Sequence, residues 1–176
     1  CELGRAADAL ARARALVTAT RDVPPEQRGA WLESLRANLV RTLSVSVSPT
    51  EFDQFLTWAS NATRGYWGWQ LERGTYLGEQ GKYDAAEAAL RDAWDQAEKG
   101  PVAAKIVVLE KLLRTLYDAR KYDELARFAA DVSAKYPEIG PLPLSIRMTA
   151  LVRIGKKEEA GQEYFKLLDG LKNNNL

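Results

Sequence analysis

The chain has 176 residues, 46% of them hydrophobic and 28% charged, and its 25 basic and 24 acidic side chains leave a formal net charge of +1. This composition indicates one folded domain or a short repeat array, and it lacks the basic excess on which nucleic-acid binding depends. Histidine is absent and there is one cysteine, which excludes an intrachain disulfide, a thiolate metal cluster and the commonest general base.

That single cysteine is the first residue, Cys1. A chain that starts in this way resembles a mature bacterial lipoprotein, in which a signal peptidase cuts directly before the cysteine that carries the lipid. We therefore expect Cys1 to be a lipid attachment site that anchors the protein on the periplasmic or outer face of a bacterial envelope membrane. No apolar run is long enough to span a bilayer. The alternative is an arbitrary fragment boundary and a soluble protein.

The N-terminal segment, residues 1–64, is predicted to form three helices. Apolar side chains recur every three or four residues through 3–20 and again through 26–44, which places one apolar stripe on each helix. The prolines at 24 and 25 separate these stripes. We expect one of them in the first turn of the second helix, where a missing N–H costs nothing.

An alternating stretch, SVSVSP at residues 44–49, separates the second and third helices. It is too short and too isolated to build a sheet, so we interpret it as a loop. Ser48 is the expected N-cap of the third helix, and Phe52 and Phe55 are expected to face inward.

From residue 66 onward, helical stretches alternate with short turns. Taking Gly81, Arg120 and Gly155 as the same turn position gives spacings of 39 residues (from 81 to 120) and 35 residues (from 120 to 155). A lysine follows each turn, and then come a tyrosine or lysine, an acidic residue and, two places later, a small or apolar residue. Periods in this range are typical of helical repeat arrays, in which no unit buries its apolar face alone.

Residues 66–171 are therefore expected to form three units with small and apolar side chains at characteristic positions. These residues are Gly74, Leu77, Gly81, Tyr83, Ala86 and Ala93 in the first unit, Leu109, Leu112, Leu116, Tyr122, Leu125 and Pro137 in the second, and Leu144, Met148, Leu151, Gly155, Ala160 and Leu167 in the third. This pattern resembles the tetratricopeptide repeat (TPR), which pairs two helices over about 34 residues. The second unit departs from it by carrying Leu113 where the family has a small residue.

The resemblance implies an all-α, right-handed, TPR-like solenoid over residues 65–172. Its units would lie at about 66–100, 101–139 and 140–171, after an N-terminal segment that acts as a degenerate repeat or a cap, and residues 173–176 would form a frayed tail. The alternative is an irregular helical bundle.

In the TPR family, the first helix of each unit lines a concave groove that holds an extended peptide or a partner helix. By register, the resemblance implies a partner-binding groove at Leu71, Thr75, Glu79, Glu110, Arg114, Tyr117, Thr149 and Arg153. Leu71 and Thr75 occupy the first positions of the clamp with which chaperone-binding members hold a terminal carboxylate, so that function is not expected. The arginines on two neighbouring units favour an acidic partner.

Tryptophan and tyrosine side chains are concentrated between residues 58 and 94. Because Trp67 and Trp69 are two residues apart, they cannot both point the same way on a helix. We expect Trp58 and Trp94 in the core. We expect one of Trp67 and Trp69 to pack in the core and the other to be the exposed aromatic anchor for a partner.

No constellation of residues predicts catalysis. Acid pairs such as Asp92/Asp95 are typical of solvated helix faces, and no glycine-rich phosphate loop occurs. We expect no enzyme activity, no cofactor or metal site, and neither nucleic acid nor a small-molecule substrate as partner.

The predicted function is that of a non-catalytic protein–protein interaction scaffold or accessory subunit of a membrane-associated complex, whose partners are other protein subunits or peptides. One alternative is a pilotin-like assembly or chaperone lipoprotein that binds client peptides in its concave groove. Another is a regulatory helical domain cut from a larger enzyme.

Overall fold

A computed structural model describes the backbone of residues 2–172, and the side chains in that range except those of residues 2–4, 25–26 and 170–172. Over these residues the protein is all-helical, with nine α-helices, two short 3-10 turns and no strand. The helices are α1 (Glu2–Ala19), α2 (Pro25–Ser46), α3 (Pro49–Ala62), α4 (Gly68–Glu79), α5 (Tyr83–Ala97), α6 (Val102–Asp118), α7 (Tyr122–Lys135), α8 (Leu142–Arg153) and α9 (Lys157–Lys172). The 3-10 turns are Thr20–Asp22 and Pro137–Ile139.

Each helix packs against the next one along the chain, and α4 also contacts α2 and α6. This consecutive packing is consistent with a helical repeat fold. Buried side chains form two clusters that meet at α4, where Trp69 belongs to the N-terminal cluster and Leu71 to the C-terminal one. Side chains two positions apart on a helix point in directions about 200° apart. Helix α4 therefore supplies apolar side chains to both clusters.

The three turn positions aligned in the sequence have the same backbone conformation. Gly81, Arg120 and Gly155 have positive φ angles of 72°, 59° and 82°. In each turn, the N–H of the following lysine donates to a leucine carbonyl of the preceding helix. The pairs are Lys82 to Leu77 at 3.0 Å, Lys121 to Leu116 at 3.0 Å and Lys156 to Leu151 at 2.9 Å. These are Schellman helix ends, and they confirm that the three turns are equivalent.

Gly74 lies at the contact between α4 and α5. A Cβ on Gly74 would lie 2.4 Å from Leu90 Cγ and 3.0 Å from the carbonyl oxygen of Ala86. Only glycine therefore allows the two helices to approach this closely.

The stretch interpreted as a loop is largely helical, and that prediction was wrong. α2 continues to Ser46, and the hydroxyl of Ser46 donates to the carbonyl of Thr42 at 2.7 Å. Serine side chains satisfied in this way are compatible with a helix. Val45 is 85% exposed, so the alternation of residue types reflects no buried strand face.

Two predicted helix starts are confirmed. Pro25 is the first residue of α2. Ser48 caps α3: its hydroxyl oxygen accepts from the Glu51 N–H at 3.3 Å, and its own N–H donates to the Glu51 carboxylate at 2.9 Å. These reciprocal bonds form a capping box.

The expected lipid attachment residue, Cys1, and the expected frayed tail at 173–176 lie outside the described residues, so both stay predictions. None of the described helices is both long enough and apolar enough to cross a bilayer.

Candidate functional site

The predicted groove residues lie on α4, α6 and α8, but the structure does not bring all of them to one surface. Leu71 on α4 is only 5% exposed and packs in the C-terminal cluster, so its expected place in a binding groove is corrected. Thr75 is half-buried and donates its hydroxyl to the carbonyl of Leu71 at 2.9 Å. Glu79 is exposed near the end of α4. None of the three lines the cleft described next.

Four of the five predicted residues on α6 and α8 do meet, in an open cleft of about 580 Å³ between the two helices, which we call the α6–α8 cleft; the fifth, Arg153, does not line it. Its lining residues are Glu110, Lys111, Leu113, Arg114 and Tyr117 from α6 and Leu142, Ile146 and Thr149 from α8. Leu113, Leu142 and Ile146 give it an apolar floor, and charged side chains of α6 border it. A concave apolar surface with a few polar groups at its edge is suited to binding an apolar side chain.

Four lining residues were not predicted: Lys111, Leu113, Leu142 and Ile146. A helical-register argument would have found most of them, because Leu113 precedes Tyr117 by four residues and Ile146 precedes Thr149 by three. Leu113 lies where the TPR pattern has a small residue. Its large side chain forms part of the cleft floor.

Tyr117 and Arg153 connect α6 to α8 beside the cleft. The Arg153 guanidinium donates to the Tyr117 hydroxyl through Nε at 3.0 Å and through Nη2 at 2.7 Å. The ring of Tyr122 packs edge-on against Tyr117, with 5.4 Å between the ring centroids. These contacts hold the side chain of Tyr117 in one place, so the wall of the cleft is preformed.

The two groove arginines differ in their electrostatic environment. Arg114 donates to the Asp118 carboxylate at 2.8 Å, which raises the pKa of Arg114 and offsets its charge locally. Among the described side chains, Arg153 has only the neutral phenol of Tyr117 as a hydrogen-bond partner. Arg153 is therefore the groove arginine that is more available to a carboxylate of a partner.

The sequence did not decide which of Trp67 and Trp69 is accessible, and the structure distinguishes them. Trp69 is 0% exposed and packs edge-on against Phe55 and Tyr66, with centroid distances of 5.9 and 6.3 Å, so it is not an accessible anchor. Trp67 is half-buried and lies in the wall of a second cleft. Trp94 is buried as expected, whereas Trp58 is half-buried against the N-terminal cluster.

Two buried carboxylates outside these clefts are engaged with cations. Glu163 on α9 accepts from Arg147 at 2.5 Å and from Lys166 at 3.0 Å. Glu163 thereby joins α9 to α8. Glu87 on α5 accepts from Arg91 on the same helix and from Lys121 in the turn between α6 and α7.

One carboxyl has a raised pKa. Burial raises the pKa of Glu72 on α4, and contact with the Arg36 guanidinium partly offsets this rise. Within the described part of the chain, no three or more acidic, histidine or cysteine side chains are grouped so that they would hold a metal ion. The carboxylates of Glu72, Glu87 and Glu163 are each paired with an arginine.

No family model, curated protein or solved structure matches this chain.

Proposed function

We propose that this protein is a non-catalytic, TPR-like scaffold that holds a segment of a partner protein in the α6–α8 cleft. The observation that supports the proposal is the meeting of four register-predicted residues in one cleft with an apolar floor. These residues are Glu110, Arg114, Tyr117 and Thr149. The equivalent Schellman turns and the consecutive helix packing support a repeat architecture, in which such a cleft between first helices is expected.

The chemistry of the cleft suggests the chemistry of its partner. An apolar side chain placed on the half-buried Leu142 and Ile146 would remove their remaining exposed surface from water, which stabilises a complex by about 25 cal/mol for each Å² buried. A carboxylate next to that side chain would face Arg153 and Lys111. We therefore propose a partner segment that carries an apolar residue close to an acidic one.

A photo-crosslinking experiment tests this function. A photoreactive residue at Thr149, which is exposed in the cleft wall, is expected to crosslink a partner protein in cells that make both. Ile146→Glu places a charge on the cleft floor and should abolish the crosslink. Val152→Glu is the matched control, because Val152 lies on the same helix, is 52% exposed and does not line the cleft.

The outcomes separate a complex formed in the cleft from contact elsewhere on the protein surface. Loss of the crosslink in Ile146→Glu with retention in Val152→Glu supports the proposal, provided that circular dichroism shows both variants folded. Equal crosslinking in the two variants, or no protein crosslinked to wild type, would refute it.

A second candidate is transient binding of a short client peptide, as in assembly chaperones. The small volume of the cleft favours it, because about 580 Å³ holds only a few side chains. A permanent subunit interface covers more than about 1,000 Å² of each partner and would extend well beyond the cleft. The lifetime of the isolated complex distinguishes the two candidates: dissociation within seconds indicates a client peptide, and co-purification through gel filtration indicates a permanent subunit.

A further inference from the structure

A second cleft, separate from the α6–α8 cleft, lies where three interhelical connections converge. It has a volume of about 710 Å³ and is lined by residues from the α1–α2, α3–α4 and α5–α6 regions. These residues lie within the ranges 20–32, 61–67 and 96–100, which are far apart in the sequence. We call it the basic cleft, because of the charges described next.

Four basic side chains line the basic cleft: Arg21, Arg28, Arg64 and Lys99. None of its described lining residues is acidic, and no described carboxylate forms an ion pair with any of the four. Elsewhere in the described part of the chain, basic side chains such as Arg36, Arg73 and Lys121 do pair with carboxylates. Among the described side chains, the four positive charges that line this cleft are therefore not offset by a carboxylate within ion-pair distance.

Helix dipoles do not account for the positive charge of this cleft. The helices α1, α3 and α5 end next to it, while α2, α4 and α6 begin there, so the partial charges of their ends largely offset one another. Among the described lining side chains, the four cations therefore give the cleft its positive charge. Low-dielectric walls around a concave charged site strengthen its attraction for an anion.

Arg28 is already held in place. Its Nη2 donates to the carbonyls of Arg21 at 3.1 Å and Val23 at 3.0 Å, and its Nε donates to Val23 at 3.3 Å. Nη1 makes no hydrogen bond to a described atom, which leaves it available to a ligand. A cation fixed before binding loses little side-chain entropy when the ligand arrives.

Two further lining residues indicate what else such a ligand contains. Gln96 lines the cleft, and its Oε1 is buried without a hydrogen-bond partner among the described atoms, so a ligand hydroxyl that reaches the Gln96 amide would satisfy it. Trp67 presents an aromatic surface in the same cleft, against which the uncharged part of a ligand would pack.

We propose that the basic cleft binds a small phosphate-bearing ligand, with the phosphate among Arg28, Arg64 and Lys99 and the remainder against Trp67. Several positive charges around one small volume suit a group that carries close to two negative charges, as a phosphomonoester does, better than a single carboxylate. The guanidinium fork also matches phosphate oxygens geometrically. The phosphate belongs either to a soluble metabolite or to a lipid headgroup, and the test below separates these sources.

Calorimetric titration of the full chain with inorganic pyrophosphate and with glycerol phosphate, at constant ionic strength, tests the soluble source. Flotation with phosphatidylcholine vesicles, with and without phosphatidic acid, tests the lipid source. The variant is Arg64→Ala/Lys99→Ala, which removes two exposed lining cations. The matched control is Arg12→Ala/Lys82→Ala, which removes two exposed cations that do not line the cleft.

We expect the lining variant to weaken binding at least about tenfold and the control variant to leave it within about twofold. Ligand-induced quenching of tryptophan fluorescence should disappear in Trp67→Phe. If the soluble probes bind and only the lining variant weakens binding, the phosphate belongs to a soluble metabolite. If only the phosphatidic acid vesicles bind, with the same effect of the variants, it belongs to a lipid headgroup. The proposal is overturned by no binding of any probe, by equal weakening in both variants, or by tighter binding of an oligoglutamate peptide than of pyrophosphate.

Discussion

Arg120 gives a direct test of the repeated turn, because it holds the backbone conformation that glycine has in the other two turns. Its φ is 59°, and its side chain is exposed without a described polar partner. A left-handed conformation costs a residue with a Cβ roughly 1–2 kcal/mol. Glycine avoids that strain but loses about 0.5–1 kcal/mol more chain entropy on folding. Arg120→Gly is therefore expected to stabilise the protein by about 0.5–1 kcal/mol.

Thermal unfolding followed by circular dichroism measures the effect. For a chain of this size, the expected gain corresponds to a rise in the melting temperature of about 1–4 °C. Arg120→Ala keeps the strain and should melt close to wild type, which separates conformation from loss of charge. Arg127→Gly, at an exposed site inside α7, is the matched control and should lose about 1 kcal/mol. If Arg120→Gly destabilises the protein as Arg127→Gly does, the left-handed turn is refuted.

Three further predictions concern packing and capping. Gly74→Ala places a Cβ against α5 and should lower the free energy of unfolding, measured with urea, by about 1–3 kcal/mol. Trp69→Ala should lower the free energy of unfolding by about 3–5 kcal/mol, because the ring is fully buried. Trp67→Ala should lower it clearly less in the same assay, because Trp67 is only half-buried. The Ser48 hydrogen bonds lower the pKa of Glu51, so their stabilising effect is present above the usual carboxyl pKa and is lost as the pH falls through the folded value. Ser48→Ala should therefore destabilise the protein at neutral pH by an amount that shrinks in acid, and should raise the Glu51 pKa measured by NMR.

Local sequence patterns predicted the helical elements well because the interactions behind them are local. Apolar spacing, the proline before α2 and the Ser48 cap each act within one or two helical turns. The equivalence of Gly81, Arg120 and Gly155 was visible as a spacing, although arginine alone does not indicate a positive φ. The stretch at 44–49 was misassigned because alternation of residue types does not show whether a neighbouring strand exists.

The candidate sites depended on contacts between distant residues. Register placed Leu71 and Tyr117 in the same groove, but the packing of α4 between two core clusters buried Leu71. The same packing chose Trp69 for the core and left Trp67 half-buried. Which side chain is buried depends on the neighbours that fill the surrounding space, and a single sequence does not show which neighbours these are.

What the sequence by itself determined is the set of helices, their turns and the absence of histidine and of an intrachain disulfide, because these follow from composition and local geometry. Only the tertiary structure decided where unpaired charge and open surface occur. The basic cleft joins Arg28, Arg64 and Lys99, which no motif connects, since three separate turns must first be packed side by side. The α6–α8 cleft arises likewise from the spacing between two helices that are not consecutive in the chain.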